Sequence, residues 1–180
     1  MERRELLKIM AMAMGGSVAL PESVFARMGE AFHEADLTFF RPAQREQVAM
    51  LAEAVIPETD TPGAIAAGVP GWIEVIVKDC LAPEDQEVIT VGLAAIMRSC
   101  AGLQGKGFDK LTAGEQVAFL NGYHDAGGDQ REFLQMFKEL TKFCYVSSEV
   151  GATQAFDYQL VPGKWVPDMP LEPGMKASSI

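Results

Sequence analysis

The chain has 180 residues, 48% hydrophobic and 22% charged, which is enough apolar material for one packed domain and too much for a disordered chain. Lys and Arg number 15 against 25 Asp and Glu, a net charge of -10, and this disfavours nucleic acid as the main partner because phosphate binding needs a basic face. Two His leave little for a His-based metal site, and three Cys do not make a disulfide scaffold.

Residues 1–26 read as a cleavable export signal. Arg3 and Arg4 are followed by Leu6, Leu7 and Lys8, then by the apolar run Ile9 to Leu20 and by Val24-Phe25-Ala26. Twelve residues are too few to span about 30 Å of hydrocarbon as a helix. The competing reading, an amphipathic first helix, lacks a polar face in this run. Its Ala, Met and Gly make it only weakly hydrophobic, which suits the twin-arginine route, the one that carries folded proteins. The expected location is therefore the periplasm. Removing residues 1–26 takes three basic and three acidic residues, so the charge stays at -10. Such a domain gains nothing from anionic lipid head groups, and membrane contact is expected only indirectly, through a partner.

Residues 37–154 read as a helical domain. After a connector ending near Phe40, Pro42 can open a helix in which Val48, Leu51, Ala52, Val55 and Ile56 form one apolar stripe, ended by Pro57. Residues 57–70 are rich in Pro, Gly and Ala and read as a loop. Trp72, Ile73, Ile76, Val77 and Cys80 mark a second helix. Pro83 opens a third, in which Ile89, Leu93, Ile96, Cys100 and Leu103 step by four and three before Gly105 and Gly107 close it. Thr112 to Glu115 is a capping-box signature, after which Val117, Leu120 and His124 are expected to share a face. Gly127-Gly128 breaks the chain. Phe133, Phe137, Leu140 and Cys144 set the fifth stripe. No alternating run argues for a sheet. The fold class is all-α, an irregular bundle of about five helices.

Residues 155–180 change character. Pro162, Pro167, Pro170 and Pro173 preclude a helix, yet Phe156, Tyr158, Leu160, Trp165, Met169 and Leu171 are apolar anchors that a free linker lacks. The segment reads as an extended arm lying on a surface, its own bundle's or another subunit's. Phe156, Tyr158, Pro162, Trp165 and Leu171 are the candidate partner contacts.

Chemistry is scarce. The Gly102, Gly105, Gly107 spacing follows a helix and has the wrong order for a dinucleotide loop, and Cys-x-x-Cys-His is absent. His33 and His124 are far apart in sequence, and a lone His on a half-apolar face is more often packed than a ligand. Glu84, Asp85 and Glu87 sit at a helix start, where they complement the dipole. No catalytic, cofactor-binding or metal-ligating residue is assigned. Among the thiols, Cys100 lies about 24 Å along the third helix, too far from Cys80 for a bridge that needs Cα atoms within about 7 Å. If successive helices alternate in direction, Cys100 and Cys144 fall at one end of the bundle. Three buried free thiols are one reading. The other is a bridge from Cys144 or Cys80 to a second chain.

Three blocks resemble one family. They are Thr38 to Gln44, then Ile56 to Ala64 with Ala66 to Ile73, then Ser147 to Gln154 followed by Tyr158 and Val161-Pro162-Gly163. Across residues 38–160 the chain is similar to the gluconate 2-dehydrogenase subunit 3 family. The resemblance implies a non-catalytic small subunit, without a cofactor of its own, in a periplasmic dehydrogenase of sugars or sugar acids. FAD would sit on a large subunit of the glucose–methanol–choline oxidoreductase type, and haem c on a possible cytochrome c third subunit. The small subunit would support folding and twin-arginine export of the flavoprotein. A reading from a different class remains: a stand-alone exported helical binding protein or small enzyme.

Overall fold

The computed structural model describes residues 37–158, 163, 168, 170 and 173–179. Five α-helices follow in order: α1 (Pro42–Val55), α2 (Val69–Cys80), α3 (Pro83–Gln104), α4 (Ala113–Asp125) and α5 (Gly128–Ser147). A 3-10 turn, Phe108–Lys110, lies between α3 and α4, and a π-helical turn, Gly151–Ala155, follows α5. The all-α reading holds. The only strands among the described residues are the two-residue β1 (Asp157–Tyr158) and β2 (Ser178–Ser179), too short to leave an alternating pattern.

Each helix begins and ends where local chemistry dictates. Proline at the first turn of α1 and α3 supplies the helical φ and lacks only an N–H that has no partner there. The α1 start is tied by Gln44, whose Oε1 accepts from the Arg41 N–H at 3.0 Å. Gly105, at φ 65°, ends α3 in the left-handed region that glycine adopts without a Cβ clash. The capping box forms as expected. Thr112 Oγ1 accepts from Glu115 N–H at 3.4 Å, and Glu115 Oε2 accepts from Thr112 N–H at 2.7 Å. That backbone bond, with Lys106 Nζ at 2.9 Å, lowers the Glu115 carboxyl to about 2.

The core runs along α5. Phe133, Leu134, Phe137, Leu140, Thr141, Phe143, Cys144 and Tyr145 are all buried, so its later turns meet neighbours on most sides. It packs chiefly on α3, α2 and α4. The expected stripes of α1, α2 and α3 are buried at Val48, Leu51, Ala52, Ile73, Ile76, Val77, Ile89, Leu93, Ile96 and Cys100, whereas Leu103, past the last packed turn, is 74% exposed.

Two expectations are corrected. The inward edge of α4 is Phe119, Leu120 and Tyr123; Val117 faces out, and His124 is half-exposed beside Asp125. The bulk of the rings decides this, because Phe119 packs edge-to-face on Phe108 and tilted against Tyr123, at centroid distances of 6.1 and 5.8 Å. The second correction concerns direction. Gly92 of α3 lies against Phe133 of α5, and Cys80, just before α3, lies beside Cys144 near the end of α5. Helices α3 and α5 are thus antiparallel, and Cys100 is at the opposite end of the bundle from Cys144. Alternation fails because the connector at residues 105–112 carries α4 off α3 instead of back along it.

Gly92 is the tightest point of that packing. A Cβ there would stand 2.2 Å from Cδ2 of Phe133, a ring that is 1% exposed and cannot move aside. Gly92→Ala is expected to destabilise the domain by about 1–3 kcal/mol through overpacking, despite the better helix propensity of alanine. A fall of about 3–10 °C in the circular-dichroism melting temperature is the readout, and an unchanged or higher value would refute the close packing.

Candidate functional site

The segment with the most organised exposed backbone is residues 57–68, between α1 and α2. Glu53, on the last turns of α1, holds both of its ends: Oε1 accepts from Glu58 N–H at 3.0 Å and Oε2 from Ile65 N–H at 2.9 Å. Ala64 N–H donates to Ile56 O and Val69 N–H to Ala64 O, at 2.9 and 3.0 Å, and the Ala64 side chain is fully buried. Gly63 is required because a Cβ would stand 2.1 Å from Glu53 Oε1. The segment is therefore a fixed platform that leaves Pro57 to Asp60 exposed and Ile65 52% exposed.

The end of α5 reaches the same platform. Tyr145, 4% exposed, donates its hydroxyl to Pro62 O at 2.7 Å. Its carbonyl accepts from Ser148 Oγ at 2.7 Å, and that hydroxyl oxygen in turn accepts from Gly151 N–H at 2.9 Å. A Cβ on Gly151 would stand 1.9 Å from Tyr145 O, so only glycine lets the chain fold back into the π turn. The Ser147 to Gly151 stretch is thus a turn built on one hydroxyl, and it aims the chain that follows.

That chain is the root of the arm. Phe156 packs, half-buried, against the bundle's own core, whereas Tyr158 is 41% exposed. The C-terminal end comes back to this root. Tyr158 is paired in register with Ser179, Asp157 N–H donates to Ala177 O at 2.9 Å, and Lys176 Nζ donates to Gln154 O at 2.5 Å. The arm therefore starts and finishes at the same place on the bundle. Of the other expected contacts, Pro162, Trp165 and Leu171 lie outside the described residues, as do His33 and the signal residues Arg3, Arg4, Leu6, Leu7 and Lys8.

Just beyond the first two blocks, Arg45 and Glu74 form a part-buried ion pair that also holds the first block's backbone. Glu74, 2% exposed on α2, accepts from Arg45 Nε at 2.7 Å and from the N–H groups of Phe39 and Phe40 at 2.7 and 3.0 Å. Reading the sequence for catalytic groups passed over Glu53, Glu74, Arg45 and Tyr145. The one available signal was Glu74, a lone acid inside the apolar run Val69 to Val77.

A second concavity, a cleft of about 470 Å³, opens between the end of α3, α4 and the start of α5. Ser99, Leu103, Phe119, Gly122, Tyr123 and Gln130 line it. Burial raises the Tyr123 phenol above its ordinary value. Among the described residues no three His, Cys, Asp or Glu gather as a metal site, and no helix is long and apolar enough to cross a membrane.

The three cysteines are free thiols. Cys144 is buried beside Cys80, and desolvation pushes its thiol upward; Cys80 is half-buried, and burial together with Asp79 raises it to about 12. Of the two candidates for a bridge to another chain, only Cys80 has appreciable surface.

A family model described as Gluconate 2-dehydrogenase subunit 3 matches residues 42–163. Neither the curated proteins nor the solved structures compared with the chain give a match.

Two outcomes are expected. Tyr145→Phe removes the bond to Pro62 O, at about 1 kcal/mol, and should speed amide exchange at Ala64 and Ile65 while α3 amides stay as they were. In thiol labelling of the native chain, Cys80 should react ahead of Cys144, with a rate rising about tenfold per pH unit between pH 7 and 10, since only the thiolate attacks. Rapid labelling of Cys144 at pH 7 would contradict its burial.

Proposed function

Because the chain belongs to the gluconate 2-dehydrogenase subunit 3 family, a subunit of a dehydrogenase complex, we propose that it is the non-catalytic small subunit of a periplasmic, FAD-dependent dehydrogenase of sugars or sugar acids. In this reading the flavin sits on a large subunit of the glucose–methanol–choline oxidoreductase type, and a cytochrome c carrying haem c takes the electrons onward. This chain supports the folding and stability of the flavoprotein and supplies its twin-arginine signal through Arg3 and Arg4.

The observation that carries the proposal is the use made of the motif residues. Blocks that look like a functional signature are pinned in place: Gly63, Ser148 and Gly151 within them, and Glu53 and Tyr145 outside them, all hold backbone. Glu53 beside the platform and Glu74 on α2 are occupied by backbone N–H donors, while Glu58 and Asp60 on the platform are exposed. What this leaves for solvent is a rigid loop, Ile65, and the pinned root of an aromatic arm. That is equipment for docking on a partner. The stand-alone alternative would use the 470 Å³ cleft, whose size suits a small ligand.

Co-purification from the native periplasm tests the reading. The chain is expected to bring down a flavoprotein and to be colourless when purified alone; a flavin spectrum on the lone chain, or small-ligand binding in the cleft without any partner, would favour the alternative. Replacing Arg3 and Arg4 by Lys should leave chain and flavoprotein in the cytoplasm. The arm gives a finer test. Since Phe156 packs on the bundle, truncation after Tyr158 should keep the helical spectrum and lose the flavoprotein. Burying one large ring removes about 150–250 Å² from water, and after ordering costs an interface anchor is worth about 2 kcal/mol. Trp165→Ala is therefore expected to weaken the complex about thirtyfold. A mass shift of the complex on reduction would show a bridge between the chains, for which Cys80 is the more exposed candidate, and no shift would end that proposal.

A further inference from the structure

The feature that neither the bundle nor the proposed docking surface uses is the strap at residues 37–41, where the N-terminal segment joins the domain. It has no helix or strand. Phe40 is 3% exposed, and its ring meets Phe39 edge-to-face at 5.0 Å. The strap's backbone is held by two side chains from different helices. Glu74 of α2 accepts the Phe39 and Phe40 N–H groups on Oε1, and Arg45 of α1 donates to Leu37 O through Nη2. The two side chains bind each other, Arg45 Nε to Glu74 Oε2 at 2.7 Å and Arg45 Nη2 to Glu74 Oε1 at 3.2 Å.

This arrangement is conditional. A carboxylate that is 2% exposed is expensive to bury without partners. Glu74 gains its partners only when α1 has packed on α2 and the strap has seated over both. Before that, the ion pair is open to water and residues 37–41 are an untethered continuation of the N-terminal segment. We propose that Glu74 is a latch that fixes the root of the N-terminal segment to the folded domain, and so couples export of the chain to completion of the α1–α2 packing. The latch rests on geometry alone; the coupling rests on the twin-arginine reading above. A route that carries folded proteins gains from such a device, because the part of the cargo nearest the signal is the part ordered by the α1–α2 contact.

The test uses the full chain with two variants. Glu74→Gln keeps the shape and removes the charge. Arg45→Met is the harsher variant, since it frees Leu37 O and leaves the buried Glu74 carboxylate with its two backbone donors but without its counter-charge. Native-state amide exchange at Phe39 and Phe40 should rise at least tenfold in Glu74→Gln, with α3 and α5 amides changed far less; unchanged exchange at the strap overturns the latch. Export is then compared with that of a core variant, Ile96→Ala, under conditions giving equal melting temperature. The latch variants are expected to reach the periplasm severalfold less than this control. Equal export overturns the coupling and marks the pair as merely stabilising. If the Arg3→Lys, Arg4→Lys chain is exported like the wild type, the export reading fails and the coupling with it, while the exchange result still decides whether the latch exists.

Discussion

The near-complete burial of the later turns of α5 is the constraint on which the other elements depend. A helix with apolar side chains around most of its circumference has to be surrounded, and α3, α2 and α4 supply the surround. Its position sets theirs. Phe133 and Phe137 stack with centroids 5.9 Å apart, and Gly92 lets α3 close onto that pair. The two buried hydroxyls on this helix are both satisfied, Thr141 Oγ1 on Phe137 O at 2.8 Å and the Tyr145 hydroxyl on Pro62 O at 2.7 Å. Among the described residues no buried side-chain polar atom lacks a partner, as a core of this kind requires. The same helix then hands its last residue but two, Tyr145, to the loop between α1 and α2.

Charge is deployed in an unusual way for so acidic a chain. Besides Glu115 in its capping box, two carboxylates are turned on the backbone away from their own helix. Glu53 caps a loop at both ends, and Glu74 gathers a strap, so each replaces several backbone bonds that regular structure would have supplied. Carboxylates used in this way are acceptors with their lone pairs committed. They hold conformation, and they have no open face towards a substrate.

Much of the bundle was legible in the sequence because the signals were local. Helix starts at Pro42, Pro83 and Thr112 and the stripes of α1, α2, α3 and α5 follow from proline, capping chemistry and a 3.6-residue period, and all are found. The failures were non-local. The inward edge of α4 was misjudged because Val117 and His124 compete with Phe119 and Tyr123, and ring packing against Phe108, a tertiary contact, decided it. The relative direction of α3 and α5 depends on where an eight-residue connector sends the chain, which periodicity does not encode. At the site, the Pro- and Gly-rich loop and the Ser147 to Gly151 block were visible as sequence, but their partners Glu53 and Tyr145 act across 12 and 83 residues. Nothing in a single sequence links such positions.

The arm shows why pinning matters for a docking element. A segment whose sequence carries four prolines does not form a helix, so in the proposed docking a partner that ordered it would meet the conformational entropy of every residue it fixed, about 1–2 kcal/mol each for the backbone. Joining its two ends removes part of that cost in advance. Here the root is held by Phe156 on the core and by the Ser148–Gly151 turn, and the return strand is held by its pairing to Asp157 and Tyr158 and by Lys176 on Gln154 O. Loop closure is thus provided by this chain before any partner arrives. The prolines narrow the backbone further, since each fixes its own φ and biases the residue before it. An arm restricted at both ends and along its length can bind with fewer anchors than a free tail needs. In the proposed docking, the bundle is the rigid body that carries the root of the arm and the fixed 57–68 platform.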